Sequence, residues 1–224
     1  MNDPKKKRTR GRPKEKQSID HDALLTTVTK CFARNGYGGV TISQLAKEAG
    51  VADSLLNYHY GNKEGIWKRG LRHTGGKILK ELNQLAPLVK NLPGMEQLKI
   101  FNRKIVYISA SYPEFQQIVV QEMFAHSDRS KWLIEELLVP IYAHHERIRK
   151  AEQTKGTIKD IPAANMVSFI FGAITTLFAR SYQMQAQFGI DAFDKAEIDK
   201  HADIINDLIF NGLAQKDVII EEDE

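Results

Sequence analysis

Apolar positions recur every three to four residues along this chain, and no stretch alternates with the period of a strand. The pattern therefore predicts an all-α protein. Ala23, Leu24, Val28, Cys31 and Phe32 stripe a first helix that opens near Ser18–Asp20 and stops at the Asn35-Gly36 terminator. Thr41 is a good N-cap for a short second helix that buries Ile42, Leu45, Ala46 and Ala49, and Gly50 makes the turn after it. A third helix covers about Ala52 to Tyr58. A fourth opens at Asn62-Lys63 and runs through Ile66, Trp67 and Leu71 toward Leu85. Pro87, Pro93 and Gly94 then mark a loop. Beyond it, helices are predicted over about 95–111, 114–126, 130–152, 162–188 and 195–215.

The last two helices differ from the rest. The segment 162–188 carries one apolar stripe of Ala163, Val167, Ile170, Phe171, Ile174, Leu177 and Phe178, and a second of Met166, Phe169, Ala173 and Thr176. A helix apolar on more than one side must be covered on more than one side. The segment 195–215 adds Ile198, Ala202, Ile205, Leu208, Ile209 and Leu213. Two such helices from each of two copies would make a four-helix bundle, with Ile170, Ile174, Phe178, Ile205 and Ile209 as expected interface residues. The alternative is that both helices are core within one subunit.

Charge changes the picture at the ends. The chain of 224 residues has a net charge of +4. Residues 1–16 alone hold eight basic residues against Asp3 and Glu15, which leaves the remainder slightly acidic. The positive charge is thus gathered at one end, as in a nucleic-acid-binding arm. Four segments follow: a basic arm over 1–17, expected to be disordered without a partner; a DNA-binding unit over 18–71; a helical unit over 72–216; and an acidic tail over 217–224. A single cysteine, Cys31, excludes an intrachain disulfide and fits a reducing, cytoplasmic setting. The longest apolar run, Met166 to Ala179, is too short for a membrane span.

The second and third helices have the form of a helix-turn-helix, which lays its second helix in the major groove while the first crosses the backbone. Small residues at Ala46, Gly50 and Val51 let the two helices approach. The third then offers Asp53, Ser54, Asn57, Tyr58 and His59. Asn pairs with adenine and Ser donates or accepts, while Asp53 either accepts from cytosine or acts as a favourable acid in the helix's first turn. Thr41, Ser43, Gln44, Tyr58 and His59 are candidate backbone contacts. Lys63 stands at a helix start where amide groups already favour a phosphate. Tyr60 is expected to be a packing aromatic. In the arm, Arg10-Gly11-Arg12-Pro13 has the form of a minor-groove hook for A·T-rich DNA. A solvated charge run and a nuclear import signal are the competing readings of the arm.

The run resembles the DNA-binding domain of TetR-type transcriptional regulators over about residues 18–71. The resemblance is carried by Gly36-Tyr37, Thr41-Ile42, Leu45-Ala46, Ala49-Gly50-Val51, Asn57-Tyr58-His59-Tyr60 and Lys63-Glu64. Asn57 stands where tyrosine is usual in that family and Tyr60 where phenylalanine is usual. The resemblance implies an all-α homodimer on a palindromic operator, with an N-terminal helix-turn-helix domain and a C-terminal ligand-binding and dimerisation domain, usually a repressor released by a small ligand.

For the C-terminal unit the pattern gives candidates only. Ile105, Tyr107, Ile108, Phe115, Val119, Met123, Trp132, Leu137, Phe169 and Phe171 are expected to line a cavity for a small apolar or amphipathic ligand, or else to be plain core. Glu122 either pairs with Arg129 or Arg103 or orients that ligand. His144 and His145 are adjacent on a helix and make a poor metal pair. No zinc spacing, phosphate-binding glycine loop or nucleophile triad is present, so neither an enzyme nor a cofactor is expected. The competing functions are a DNA-binding regulator without a small ligand, a helical enzyme or carrier, and an architectural DNA protein.

Deleting residues 1–16 is expected to weaken DNA binding. It should also reduce the slope of log affinity against log salt by about 0.9 for each phosphate that the arm no longer neutralises. A salt titration of the truncated chain with an unchanged slope would remove the arm from the binding mechanism.

Overall fold

The structure, a computed structural model, describes residues 20–213. The basic arm with Arg10 and Arg12, and the acidic tail, lie outside the described residues. Four helices form the N-terminal unit: α1 (His21–Asn35), α2 (Ile42–Ala49), α3 (Asp53–Tyr60) and α4 (Lys63–Val89). Asp20 caps α1 by accepting from the Ala23 N–H at 3.0 Å, and Gly36 ends it at a positive φ of 70°. Val28, Phe32, Leu45, Leu56, Ile66 and Trp67 are the buried centre of this unit. At 27 residues, α4 is about 40 Å long, enough to belong to both units. It runs past Pro87, where a break was expected, and ends two residues later. Pro87 removes one bond to the preceding turn and crowds the Asn83 carbonyl, and α4 stops within a turn of it.

The C-terminal unit comprises α5 (Gly94–Ser111), α6 (Pro113–Met123), α7 (Asp128–Leu133), α8 (Val139–Thr154), α9 (Ala163–Ala179), α10 (Ser181–Phe188) and α11 (Lys195–Leu213). Among the described residues there is no β-strand, as the apolar periodicity predicts. The helix expected over 130–152 is α7 and α8 joined through a π-helical turn, Ile134–Leu138. Pro140, in the first turn of α8, cannot donate to the preceding turn, and a widened turn accommodates its ring. The helix expected over 162–188 is two helices, α9 and α10, bent by 67° at Arg180. No single helix among the described residues is long and apolar enough to cross a membrane.

The expected interface residues take a different place. Ile174, Phe178, Ile205 and Ile209 are buried within the one chain, and Ile170 is half-buried against the same core. The longer apolar stripes of α9 and α11 therefore face inward. Val167 and Phe169 of α9, with Ile204 and Leu208 of α11, are what remains on the outside.

One contact between α5 and α8 is polar. His145 Nε2 lies 3.1 Å from the Asn102 side-chain oxygen, and Asn102 is only 2% exposed. Burial pulls the His145 pKa from 6.5 down to about 4, so the ring is neutral in the folded protein. The unfolded chain takes up that proton as pH falls through 6.5, whereas the folded chain resists it. Stability linked to His145 is therefore whole above pH 6.5 and lost toward pH 4. Urea denaturation between pH 6.5 and 4.5 should show a decrease in stability that is smaller by about 2 kcal/mol in His145→Leu, the remainder coming from groups such as His73, His144 and His201 whose pKa values are also lowered.

Candidate nucleic-acid interface and the cavity behind it

α2 is set by a capping box. The Thr41 hydroxyl accepts from the Gln44 N–H at 3.2 Å, and the Gln44 side-chain oxygen accepts from the Thr41 N–H at 2.8 Å. Thr41 and Gln44, both offered as DNA contacts by the sequence, thus first serve the frame. Gln44 keeps its amide N–H groups and Thr41 stays exposed. Gly50 then turns the chain in the left-handed conformation, with φ of 67°. The Ser43 hydroxyl on α2 hydrogen-bonds the carboxylate of Asp53, the first residue of α3. Asp53 is accordingly the first-turn acid that ties the two helices, and not a group held out toward a base.

The reading helix is held from its other end as well. Leu56 is fully buried. The Tyr60 hydroxyl lies 2.9 Å from His21 Nδ1, so Tyr60 is the packing aromatic the pattern suggests. Asn62 caps α4 by accepting from the Gly65 N–H at 2.8 Å. A side chain on Gly65 would lie 2.0 Å from the Tyr60 carbonyl oxygen, so glycine lets α4 start hard against the end of α3. With α3 fixed on three sides, Ser54, Asn57, Tyr58 and His59 are exposed together, Tyr58 by 85%. The Tyr58 and His59 rings meet edge to face at 5.1 Å.

Lys63 does more than the sequence suggests. Its Nζ lies 4.5 Å from the centre of the Tyr37 ring, and the Arg129 guanidinium of α7 lies 3.8 Å from the same ring. Arg129 also donates to Glu122 of α6 at 3.3 Å, and Glu122, only 4% exposed, accepts in addition from Ser127 and Ser130. Glu122 is therefore a buried ion-pair partner and not a ligand-orienting group. Nearby, Gln121 donates to the Ala33 carbonyl of α1 at 2.8 Å. Trp132 packs on Trp67 of α4 at 5.5 Å and carries Lys68 and Arg72 over its ring. These contacts join the two units. Sequence reading identified Tyr37 only as a motif marker and Arg129 only as a partner of Glu122, because nothing in the spacing brings the two together.

Behind this junction lies a cavity of about 560 Å3, within the usual range of small-molecule sites. Leu82 of α4, Ile105 of α5, Val119 and Met123 of α6, Tyr142 of α8, and Met166 and Phe171 of α9 form its walls, and the π turn contributes Ile134 and Leu138. Of the expected lining residues, Ile105, Val119, Met123 and Phe171 are in place. Tyr107 instead hydrogen-bonds Asp199 of α11. Phe115 is buried beside a separate polar cleft between α1 and α4, Trp132 is at the unit junction, and Phe169 is exposed on the outer face of α9. Tyr107, Phe115 and Phe169 lie on helices that line the cavity but on another side of them, whereas α7, which carries Trp132, contributes no lining residue. Asn102, Tyr142, His145 and Arg149 are lining residues that an apolar-stripe search does not find, since their signal is polar.

Residues 24–69 match the family model of bacterial regulatory proteins, tetR family. The chain is 25% identical over 118 residues to the HTH-type transcriptional regulator RutR of Escherichia coli K12, covering 53% of this chain and 54% of that protein. It is 25% identical over 81 residues to the HTH-type transcriptional repressor AcnR of Corynebacterium glutamicum, covering 36% and 43%. The chain thus spans about half the length of the curated relatives it matches. Among solved structures, FadR of Bacillus subtilis in complex with stearoyl-CoA superposes with a TM-score of 0.58 at 19% identity, over 82% of this chain and 96% of that one. FadR of Bacillus halodurans, a fatty acid degradation regulator, does so with a TM-score of 0.63 at 17% identity, over 83% and 97%. The chain therefore shares the fold of these solved structures, and residues 24–69 of its N-terminal unit match the tetR-family model.

Proposed function

We propose that this tetR-family chain is a homodimeric transcriptional repressor that binds a palindromic operator and is released by a small ligand in the C-terminal cavity. The observation that carries the reading is the exposed face of α3. Asn57, Tyr58 and His59 stand out from a helix fixed by caps and by Gly65, with Lys63 beside them. Tyr58, 85% exposed, stands with Asn57 and His59 on one helix, and the three side chains make no hydrogen bond among the described residues, which leaves them open to a partner. Asn57 reads a base edge, and Lys63 and the first turn of α4 hold a phosphate. The tetR-family match supports DNA as that partner.

The dimer rests on the outer faces of α9 and α11, where Val167, Phe169, Ile204 and Leu208 are 46–63% exposed among the described residues. The two reading helices of such a dimer fit successive major grooves when they stand about 34–36 Å apart or a multiple of it. Ligand control rests on the cavity, since a fully packed C-terminal unit would have favoured a regulator without an effector. A ligand there presses on Leu82 of α4 and Met123 of α6. It then acts on the reading head through Glu122, Arg129 and Tyr37. Among the solved neighbours, a fatty acid degradation regulator and a transcriptional regulator in complex with stearoyl-CoA support an elongated apolar ligand.

Asn57→Ala should cost about 1–3 kcal/mol in operator binding and relax the preference at one base pair. Lys63→Ala should weaken all duplexes alike and reduce the salt slope by about 1. Fluorescence anisotropy on a genome-selected fragment reads both, and a folded double variant as tight and as selective as the parent would end this reading.

Arg129→Lys keeps a charge for Glu122 but loses the flat stacking on Tyr37. Compounds that occupy the cavity should bind it as they bind the parent. Their effect on operator affinity should shrink by about 0.5–2 kcal/mol. An undiminished effect, from anisotropy with and without the compound, would exclude this route.

A further inference from the structure

The polar side chains of the cavity say what kind of molecule it holds. Among its lining residues Arg149 is the single cation, and three of its five N–H groups are engaged within α8. Its Nε and one terminal nitrogen donate to the Glu146 carboxylate at 2.6 and 2.7 Å, and the other donates to Gln153 at 2.7 Å. A ligand carboxylate at Arg149 would compete with Glu146, another lining residue, whose other cation is the exposed Lys150 at 3.7 Å. His145, the remaining basic side chain, is neutral and hydrogen-bonded to Asn102. An anionic group in this cavity would thus meet only a guanidinium whose charge Glu146 already balances, an unfavourable arrangement away from water.

Two hydrogen-bond donors, by contrast, are unused. The Asn102 side-chain nitrogen is buried with no partner among the described residues. A buried polar group left so is uncommon and calls for an explanation. Tyr142, one helical turn before His145 on the same face of α8, also lines the cavity. No hydrogen bond from its hydroxyl to the described residues is present, and burial raises its pKa, which keeps the proton on the oxygen. Thr175, a further polar lining residue, is already satisfied by the Phe171 carbonyl at 2.8 Å.

We propose that the cavity selects an uncharged, largely hydrocarbon ligand bearing a hydrogen-bond acceptor such as an ester or amide carbonyl, received by the Asn102 amide and the Tyr142 hydroxyl. The inference rests on the ligand-release reading for its biological use, but not for its binding. The carbonyl has two lone pairs and can accept from both donors. Apolar walls from five helices receive the chain, and Arg149 and Glu146 stay paired with one another.

The test uses the full chain loaded with N-phenyl-1-naphthylamine, an uncharged fluorescent probe, at pH 8. Methyl decanoate should displace the probe at concentrations at least tenfold below those required of decanoate, which carries the same chain with a charge. Tyr142→Phe and Asn102→Leu should each weaken the ester by about threefold to tenfold; because Asn102→Leu also removes the partner of His145 Nε2, its fold is checked by circular dichroism and Tyr142→Phe is the cleaner variant. Decanoate binding as tightly as the ester overturns the proposal. Failure of both compounds to displace the probe does so too, as does an ester affinity unchanged in both variants. Operator binding is followed in parallel by anisotropy. Ester bound without release leaves this proposal standing and removes the ligand-release reading, whereas release by decanoate alone does the reverse.

Discussion

Glu122 is a buried carboxylate, and the position of Arg129 follows from it. A charge taken out of water and stripped of its partner is among the more destabilising events a fold can suffer, so Arg129 stays with Glu122. The same guanidinium lies on the Tyr37 ring, and Tyr37 lies under the ammonium of Lys63. One electrostatic constraint thereby ties α6, α7, the turn after α1 and the start of α4 into a single unit. Met123 follows Glu122 directly and forms part of the cavity wall. Movement of that wall is therefore movement of a group to which the N-terminal unit is anchored.

The reading head is built on the opposite principle. Its polar groups are spent locally, on the Thr41–Gln44 box, the Ser43–Asp53 tie and the Asn62 cap, so that α2, α3 and α4 keep a fixed relation without any partner. What the frame leaves over, at Ser54, Asn57, Tyr58 and His59, is exposed and makes no side-chain hydrogen bond among the described residues, which leaves it free for the proposed DNA contact. Rigidity in the frame means that a small displacement transmitted to α4 moves the whole recognition face and is not absorbed within it.

The sequence made the fold legible where local chemistry decides it. Asp20, Thr41 and Asn62 are caps, Gly36 and Gly50 are turns, and the apolar period is helical throughout, so the first four helices lie where the pattern puts them. It was less informative where a helix can be interrupted without being ended. Pro140 widens one turn into a π segment and Arg180 bends another helix, and neither leaves a mark on the apolar stripe. The site divides in the same way. Exposed polar residues on a short helix are recognisable by type and spacing. Which side of a helix faces a cavity depends on neighbours distant in the chain, and so Trp132 and Tyr107 were assigned to a lumen they do not reach. Glu122 shows the same ambiguity: its burial was legible, and its partner was one of two arginines until α7 fixed the choice.

An uncharged ligand is sufficient to work such a switch. A ligand shifts the balance between two states only by the difference in its affinity for them. A tenfold loss of operator affinity per subunit corresponds to about 1.4 kcal/mol, or about 55 Å2 more apolar contact in one state than in the other. Leu82 of α4 and Met123 of α6 belong to different helices of the wall, and a modest change in their separation alters contact on that scale. No new ion pair is required, and the existing ones gain by being left intact: the Glu146–Arg149 pair holds α8 and the Glu122–Arg129 pair holds the junction while the apolar wall between them adjusts.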